Sequence, residues 1–159
     1  MSRMRKAIRS PLLVLAFTVA FAGTALAAHS VGFHPTPLAR GTLNEPVHYN
    51  AGEVKFQTKD PVDFVHVTLT VDPLGTSRWH THPGVVLITV KSGTLTRYYA
   101  DCSFDVYSAG SSFTEGGDHA GLVRNESTTE PAVTYITYVV PAGTTALATD
   151  KPNPGCPQD

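Results

Sequence analysis

The residues best suited to chemistry in this chain are His80 and His82, separated by Thr81 in "WHTHPGVVLITVKSGTLTRY" from Trp79 to Tyr98. Neutral imidazole is the commonest side-chain ligand for divalent transition metals. On a β-strand residues i and i+2 share a face, so the two rings are expected to point the same way, with Thr81 opposed. Two imidazoles do not complete a site, because catalytic centres normally have three protein ligands and an open position. Alternatively, each histidine is a hydrogen-bonded wall residue.

The elements that must position these side chains have a period of two. In "VHVTLTV", Val65, Val67, Leu69 and Val71 alternate with His66, Thr68 and Thr70, the pattern of a half-buried strand. Further strands are expected at 53–58, 85–91, 94–100, 111–115, 120–126 and 132–140. Asp-Pro, Pro-Gly, Ser-Gly, Ala-Gly and Gly-Gly dipeptides punctuate them. No stretch after the leader shows an apolar face at the helical period. Short, regularly spaced strands of this kind read as an all-β sandwich or barrel. The segments before Thr42 and after Gly143 are rich in Pro, Ala and Thr and read as an arm and a tail.

At the N-terminus, Arg3, Arg5, Lys6 and Arg9 precede an apolar run, Pro11 to Thr24, and "ALAA" at 25–28. That is the pattern of a secretory signal peptide cleaved after Ala27 or Ala28. The run is shorter than the roughly 20 residues a membrane span needs. The mature protein is thus expected to be secreted or periplasmic, with no membrane association after cleavage. Cleavage removes four of the 12 basic residues and none of the 13 acidic ones, leaving a net charge of −5. Nucleic acid is an unsuitable partner for such a surface, since its binding draws on clustered Lys and Arg. Cys102 and Cys156 would meet an oxidising compartment and are expected to pair. The bridge would close a loop of about 54 residues, worth roughly 4 kcal/mol in the chain-entropy model.

With these residues in view, the chain resembles the cupin family. His80, His82 and Gly93 match the H-x-H…G portion of the first cupin motif, and Gly75 lies one residue from its leading glycine. Gly110 and Asn125 match the ends of the second motif. The resemblance covers roughly Glu53 to Pro141. It implies a cupin-type jelly-roll β-barrel of two packed antiparallel sheets. The expected organisation is a signal peptide at 1–28, an N-terminal arm at 29–50, the barrel at 51–142 and a C-terminal tail at 143–159. The arm from Val31 to Leu43 is a candidate for pairing two copies into a homodimer.

The chain departs from the family at the ligands. The motif glutamate position is Val86 and the third histidine position is Gly121. His119, two residues before Gly121, would share that position's face on a regular strand, with Gly116 and Gly117 available to bend the chain inward. The expected metal ligands are therefore His80, His82 and His119, a set suited to Zn, Fe, Ni, Cu or Mn. A barrel that has lost its metal is one alternative. A site completed by Glu115, Asp118 or His66 is the other. The ligand is expected to be a small molecule, in a cavity lined by Val65, Leu69, Val86 and Ile88 if these face inward. Two function classes follow: a metal-dependent enzyme, and a non-catalytic module binding a small molecule or metal. Asn125-Glu126-Ser127 fits the N-glycosylation pattern, although Asn125 also belongs to the fold motif.

Overall fold

The computed structural model describes residues 30–158; the expected leader lies outside the described residues. Among these there are ten strands and no helix. They are β1 (Val31–Leu43), β2 (His48–Ala51), β3 (Val54–Gln57), β4 (Val62–Thr76) and β5 (His80–Ser92). There follow β6 (Thr94–Tyr99), β7 (Phe104–Ser108), β8 (Ser112–Arg124), β9 (Ala132–Pro141) and β10 (Thr149–Asp150). All pairings are antiparallel. The order is β1-β4-β9-β5-β8-β6-β7, and Thr76 of β4 pairs with Arg124 of β8, so hydrogen bonding closes around the barrel. β2 and β3 form a separate two-stranded sheet. This is the all-β antiparallel barrel expected from the sequence.

The period-two pattern selects what faces inward. Val65, Val67, Leu69 and Val71 of β4 are all buried, as are Val86, Ile88 and Val90 of β5. Thr134, Ile136, Tyr138 and Val140 of β9 complete the inner wall. Burying an aliphatic side chain of this size contributes about 1.5–3 kcal/mol, so the alternation fixes strand register as well as fold. Gly93, which the motif places after β5, has a left-handed φ of 75°, and a Cβ there would lie 2.6 Å from the Pro131 carbonyl oxygen. Both features require glycine.

Residues 31–43, expected as an arm, form a strand paired along most of β4. Pro35, Pro37 and Gly41 obscured this in the sequence. Proline lacks the ladder donor and is tolerated at a sheet edge, and β1 is an edge. Arg40 and Thr42 tie that edge inward. The Asp63 carboxylate, on buried β4, accepts from Arg40 Nε at 3.1 Å, from Arg40 Nη2, from Thr42 Oγ1 at 2.6 Å and from the Gly143 amide at 2.9 Å. The expected tail also packs on the barrel. Leu147 is fully buried, Thr149 and Asp150 pair with Thr81 and His80, and Cys156 forms the expected disulfide with Cys102.

Candidate metal centre

His80 and His82 stand on the first turn of β5 into the barrel, and both are at least nine-tenths buried. Each ring is fixed through Nδ1. His80 Nδ1–H donates to the Arg78 carbonyl at 2.9 Å, and His82 Nδ1–H donates to the Leu147 carbonyl at 2.7 Å. A carbonyl only accepts, so both imidazoles carry a proton on Nδ1, and in the neutral form each presents a bare Nε2. The two Nε2 atoms are 3.0 Å apart. Two lone pairs facing at that distance repel unless a cation lies between or beside them.

The third donor is a carboxylate. Glu115 Oε2 lies 3.3 Å from His82 Nε2 and 3.9 Å from His80 Nε2. The ligand atoms of His80, His82 and Glu115 all lie within 4.8 Å of one another. For metal–ligand bonds of about 2.1 Å, neighbouring ligand atoms sit roughly 3.0–3.4 Å apart. The His–His and His82–Glu115 separations meet that range, and the remaining one needs only a small side-chain rotation. The residues therefore fit a divalent transition ion. Glu115 Oε1 faces Arg97 Nε at 3.4 Å, and Arg97 in turn donates to the Thr114 carbonyl at 2.7 Å.

Electrostatics lower the proton affinity of both His80 and Glu115. Burial lowers the proton affinity of His80; attraction to Glu115 opposes this and repulsion from His82 reinforces it, with a net downward shift. Burial pushes the Glu115 carboxyl up, but its contacts with His82, His80 and Arg97 outweigh that and hold it below the ordinary glutamate value. Tyr138, whose ring centroid is 5.8 Å from that of His82, is pushed well up by burial and by the Glu115 charge. Its phenol stays protonated at neutral pH.

The structure brings together His80, His82 and Glu115, and leaves His119 outside. The reason lies in the β5–β8 register. His82 pairs with Gly117 and His80 with Gly121, so Asp118, His119 and Ala120 together stand opposite Thr81 alone. A bulge of this kind breaks face alternation. His119 and Asp118 are exposed and line an outer groove, and half-buried His66 hydrogen-bonds Thr137 at 3.0 Å on the outer face of β4. Glu115, by contrast, sits two residues after buried Phe113 on a regular stretch of β8, which turns it inward. That two-residue spacing from Phe113 was the sequence signal favouring Glu115 over His119.

Beyond the three donors lies a cavity of about 60 Å³. Leu69, Val86, Ile88, Phe113 and Ile136 make most of its wall, with Tyr138 at the donors and Thr134 among the polar lining groups. Val65 belongs to the core but does not line the cavity. Trp79 points away from it, packing with Tyr98, Leu122 and Cys156. Asn125 is buried, donating to the carbonyls of Val71, Asp72 and Glu130 and accepting from the Ser127 amide. These bonds give it a role in the fold.

No protein-family model matches the chain, and no curated relative matches it. Solved structures are similar in fold. An RmlC-like cupin from Shewanella frigidimarina is 14% identical, with a TM-score of 0.48 over 70% of this chain and 79% of that one. The polyketide cyclase RemF from Streptomyces resistomycificus is 14% identical, with a TM-score of 0.46 over 57% and 64%. The Cupin_2 domain of an XRE family transcriptional regulator from Enterobacter cloacae is 17% identical, with a TM-score of 0.45 over 69% and 97%. This chain thus spans less than two thirds of the cyclase, and the likeness is one of fold. The chain is a closed antiparallel barrel whose H-x-H strand turns both imidazoles into the interior. Its particular feature is that a glutamate on β8 stands as the third candidate donor.

Proposed function

We propose that the protein is an exported, metal-dependent enzyme acting on a small, largely apolar molecule. His80 Nε2, His82 Nε2 and Glu115 would hold one divalent transition ion. The single observation that carries this reading is a pair of imidazoles anchored through Nδ1, their Nε2 atoms 3.0 Å apart beside a carboxylate. Two imidazoles and one carboxylate leave coordination positions open, a donor set suited to Fe(II), Zn or Mn. Once bound, such an ion supplies Lewis-acid or oxygen-activating chemistry at those open positions.

The chain's own residues set the rest. The apolar wall excludes bulk water, which strengthens every charge interaction at the donors. A volume of about 60 Å³ limits the ligand to a few heavy atoms. Tyr138 has no partner for its hydroxyl among the hydrogen bonds described and lines the cavity beside His82, so it can donate a hydrogen bond to a bound oxygen atom. Arg97 holds Glu115 from behind and keeps its Oε2 turned toward the histidines.

Export rests on the leader pattern of residues 1–28 and on a disulfide, which persists in oxidising compartments. A non-catalytic binding module is the second reading, favoured by how narrow and covered the cavity is. Elemental analysis of untagged protein beside a His80→Ala/His82→Ala variant tests the metal. About one equivalent in the wild type and none in the variant is expected. No metal in either, even after titration with Zn, Fe, Ni, Cu and Mn, would leave the two imidazoles sharing a proton and would end the metalloenzyme reading.

A further inference from the structure

The C-terminal segment does more than finish the barrel. It leaves β9 under the Asp63 carboxylate, which takes the Gly143 amide, while Arg40 Nη2 donates to the Thr144 carbonyl at 2.6 Å. It then passes over the site: Leu147 is buried in the main core, Ala148 lines the cavity, and the Leu147 carbonyl takes the His82 Nδ1 proton. Next it pairs with Thr81 and His80 through Thr149 and Asp150, and the Lys151 amide donates to the Trp79 carbonyl at 2.8 Å. It ends tethered, with Cys156 bonded to Cys102 and the Gln158 carbonyl accepting from the Trp79 indole.

Only two of its residues are in a strand, so few ladder bonds hold it. The disulfide and the buried Leu147 side chain are its covalent and apolar anchors. Without the Leu147 carbonyl, nothing else described holds the His82 Nδ1 proton, and the ring is free to move its proton to Nε2, where it can no longer ligate.

We propose that residues 144–158 are a disulfide-tethered strap whose Leu147 carbonyl sets the tautomer of His82, so that metal affinity depends on the Cys102–Cys156 bond. The inference rests on the metal reading for its affinity consequence but not for its geometry. Leu147 acts through His82 and is a positioning residue. Cys102 is exposed in a turn, within reach of a thiol reductant. A dithiol gives two electrons and two protons to the bond, leaving Cys102 and Cys156 as thiols and itself as a disulfide.

The test compares wild type, Cys102→Ser/Cys156→Ser and Leu147→Ala, the last with its disulfide intact. Histidine ring 15N shifts in the metal-free proteins report the His82 tautomer, and titration with Zn²⁺ reports affinity. Wild type should show His82 protonated on Nδ1. Both variants should show mixed tautomers and zinc affinity weaker by about 10–100-fold, the usual effect of losing an outer partner of a ligating histidine. Folded variants that keep the Nδ1–H tautomer and the wild-type zinc affinity would overturn the strap. If the cysteine-free chain does not fold, Leu147→Ala decides. If wild type binds no zinc yet its tautomer responds to the variants, the strap stands and the metal reading fails.

Discussion

Glu115 pairs directly with Val86 across β5 and β8. Directly paired residues of an antiparallel pair project to the same side, so the carboxylate enters the barrel beside buried Val86. Arg97, on β6, supports it from the far side.

Replacing Glu115 with Gln keeps its size and removes its charge. Losing an outer partner already costs about 10–100-fold in affinity, so losing a ligand is expected to cost at least about 100-fold for Zn²⁺. His119→Ala is expected to leave zinc affinity within about two-fold, because His119 is exposed on the bulge and outside the donor cluster. Competition titration against a chromophoric chelator measures both. The opposite ranking would return the third ligand to His119.

Gly84 lets β5 pass close to β9 immediately after the histidines. A Cβ there would lie 2.1 Å from the Val139 carbonyl oxygen and 3.0 Å from the Val140 Cα. Backbone cannot yield as a side-chain tip can, so Gly84→Ala must push the strands apart where β5 leaves the site. Overpacking of this kind costs about 1–3 kcal/mol, and occasionally more. The expected result is a lower thermal midpoint and weaker zinc binding together; a variant melting like wild type would mean the strands separate easily at this point.

Asp63 gives the fold an acid limit. Burial pushes its carboxyl up, but hydrogen bonds from Thr42, Arg40 and the Gly143 amide, with the Arg40 charge, hold it below the ordinary value of 3.8. A carboxyl lowered in the folded state contributes stability that is present above its unfolded pKa and lost as pH falls through the folded one. Asp63→Asn is therefore expected to destabilise the protein at pH 7 by about 3 kcal/mol, the low end for a broken buried pair, because Arg40 retains 29% exposure. The same variant should flatten the loss of stability on going below pH 3.8. Urea melts at pH 7 and pH 3 separate the two effects.

The sequence made some parts of this molecule legible and concealed others for identifiable reasons. Val65, Val67, Leu69 and Val71 announced a strand because one face of β4 meets the core and the other does not. His80 and His82 inherited a common face from the same period. β1 was concealed because an edge strand tolerates prolines that a central strand would reject. The segments 111–115 and 120–126 looked like two strands, but they are one strand interrupted by the bulge at residues 118–120. That bulge also takes His119 out of the candidate cluster, since a face argument from Gly121 back to His119 assumes a regular strand. The tail looked dispensable because its contribution comes from a backbone carbonyl, which no residue type reveals.

Thr134 offers a test of how the cavity is used. Its side chain faces inward on β9, is fully buried, and its hydroxyl has no hydrogen-bond partner. It also lines the cavity. A buried polar group without a partner costs about 1–3 kcal/mol, whereas valine has nearly the same shape, prefers strands and would leave nothing unsatisfied. Thr134→Val is therefore expected to raise the stability of the ligand-free protein by about 1 kcal/mol, read as a higher urea midpoint at unchanged slope. A stabilised variant would mean that the wild type retains a hydroxyl at a cost to its fold, as a polar contact for a cavity ligand would require. A destabilised one would mean that Thr134 already has a partner in solution, such as a buried water, and that the inner end of the cavity is wet. Zinc affinity is expected to be the same in both proteins, because Thr134 is not in the donor cluster.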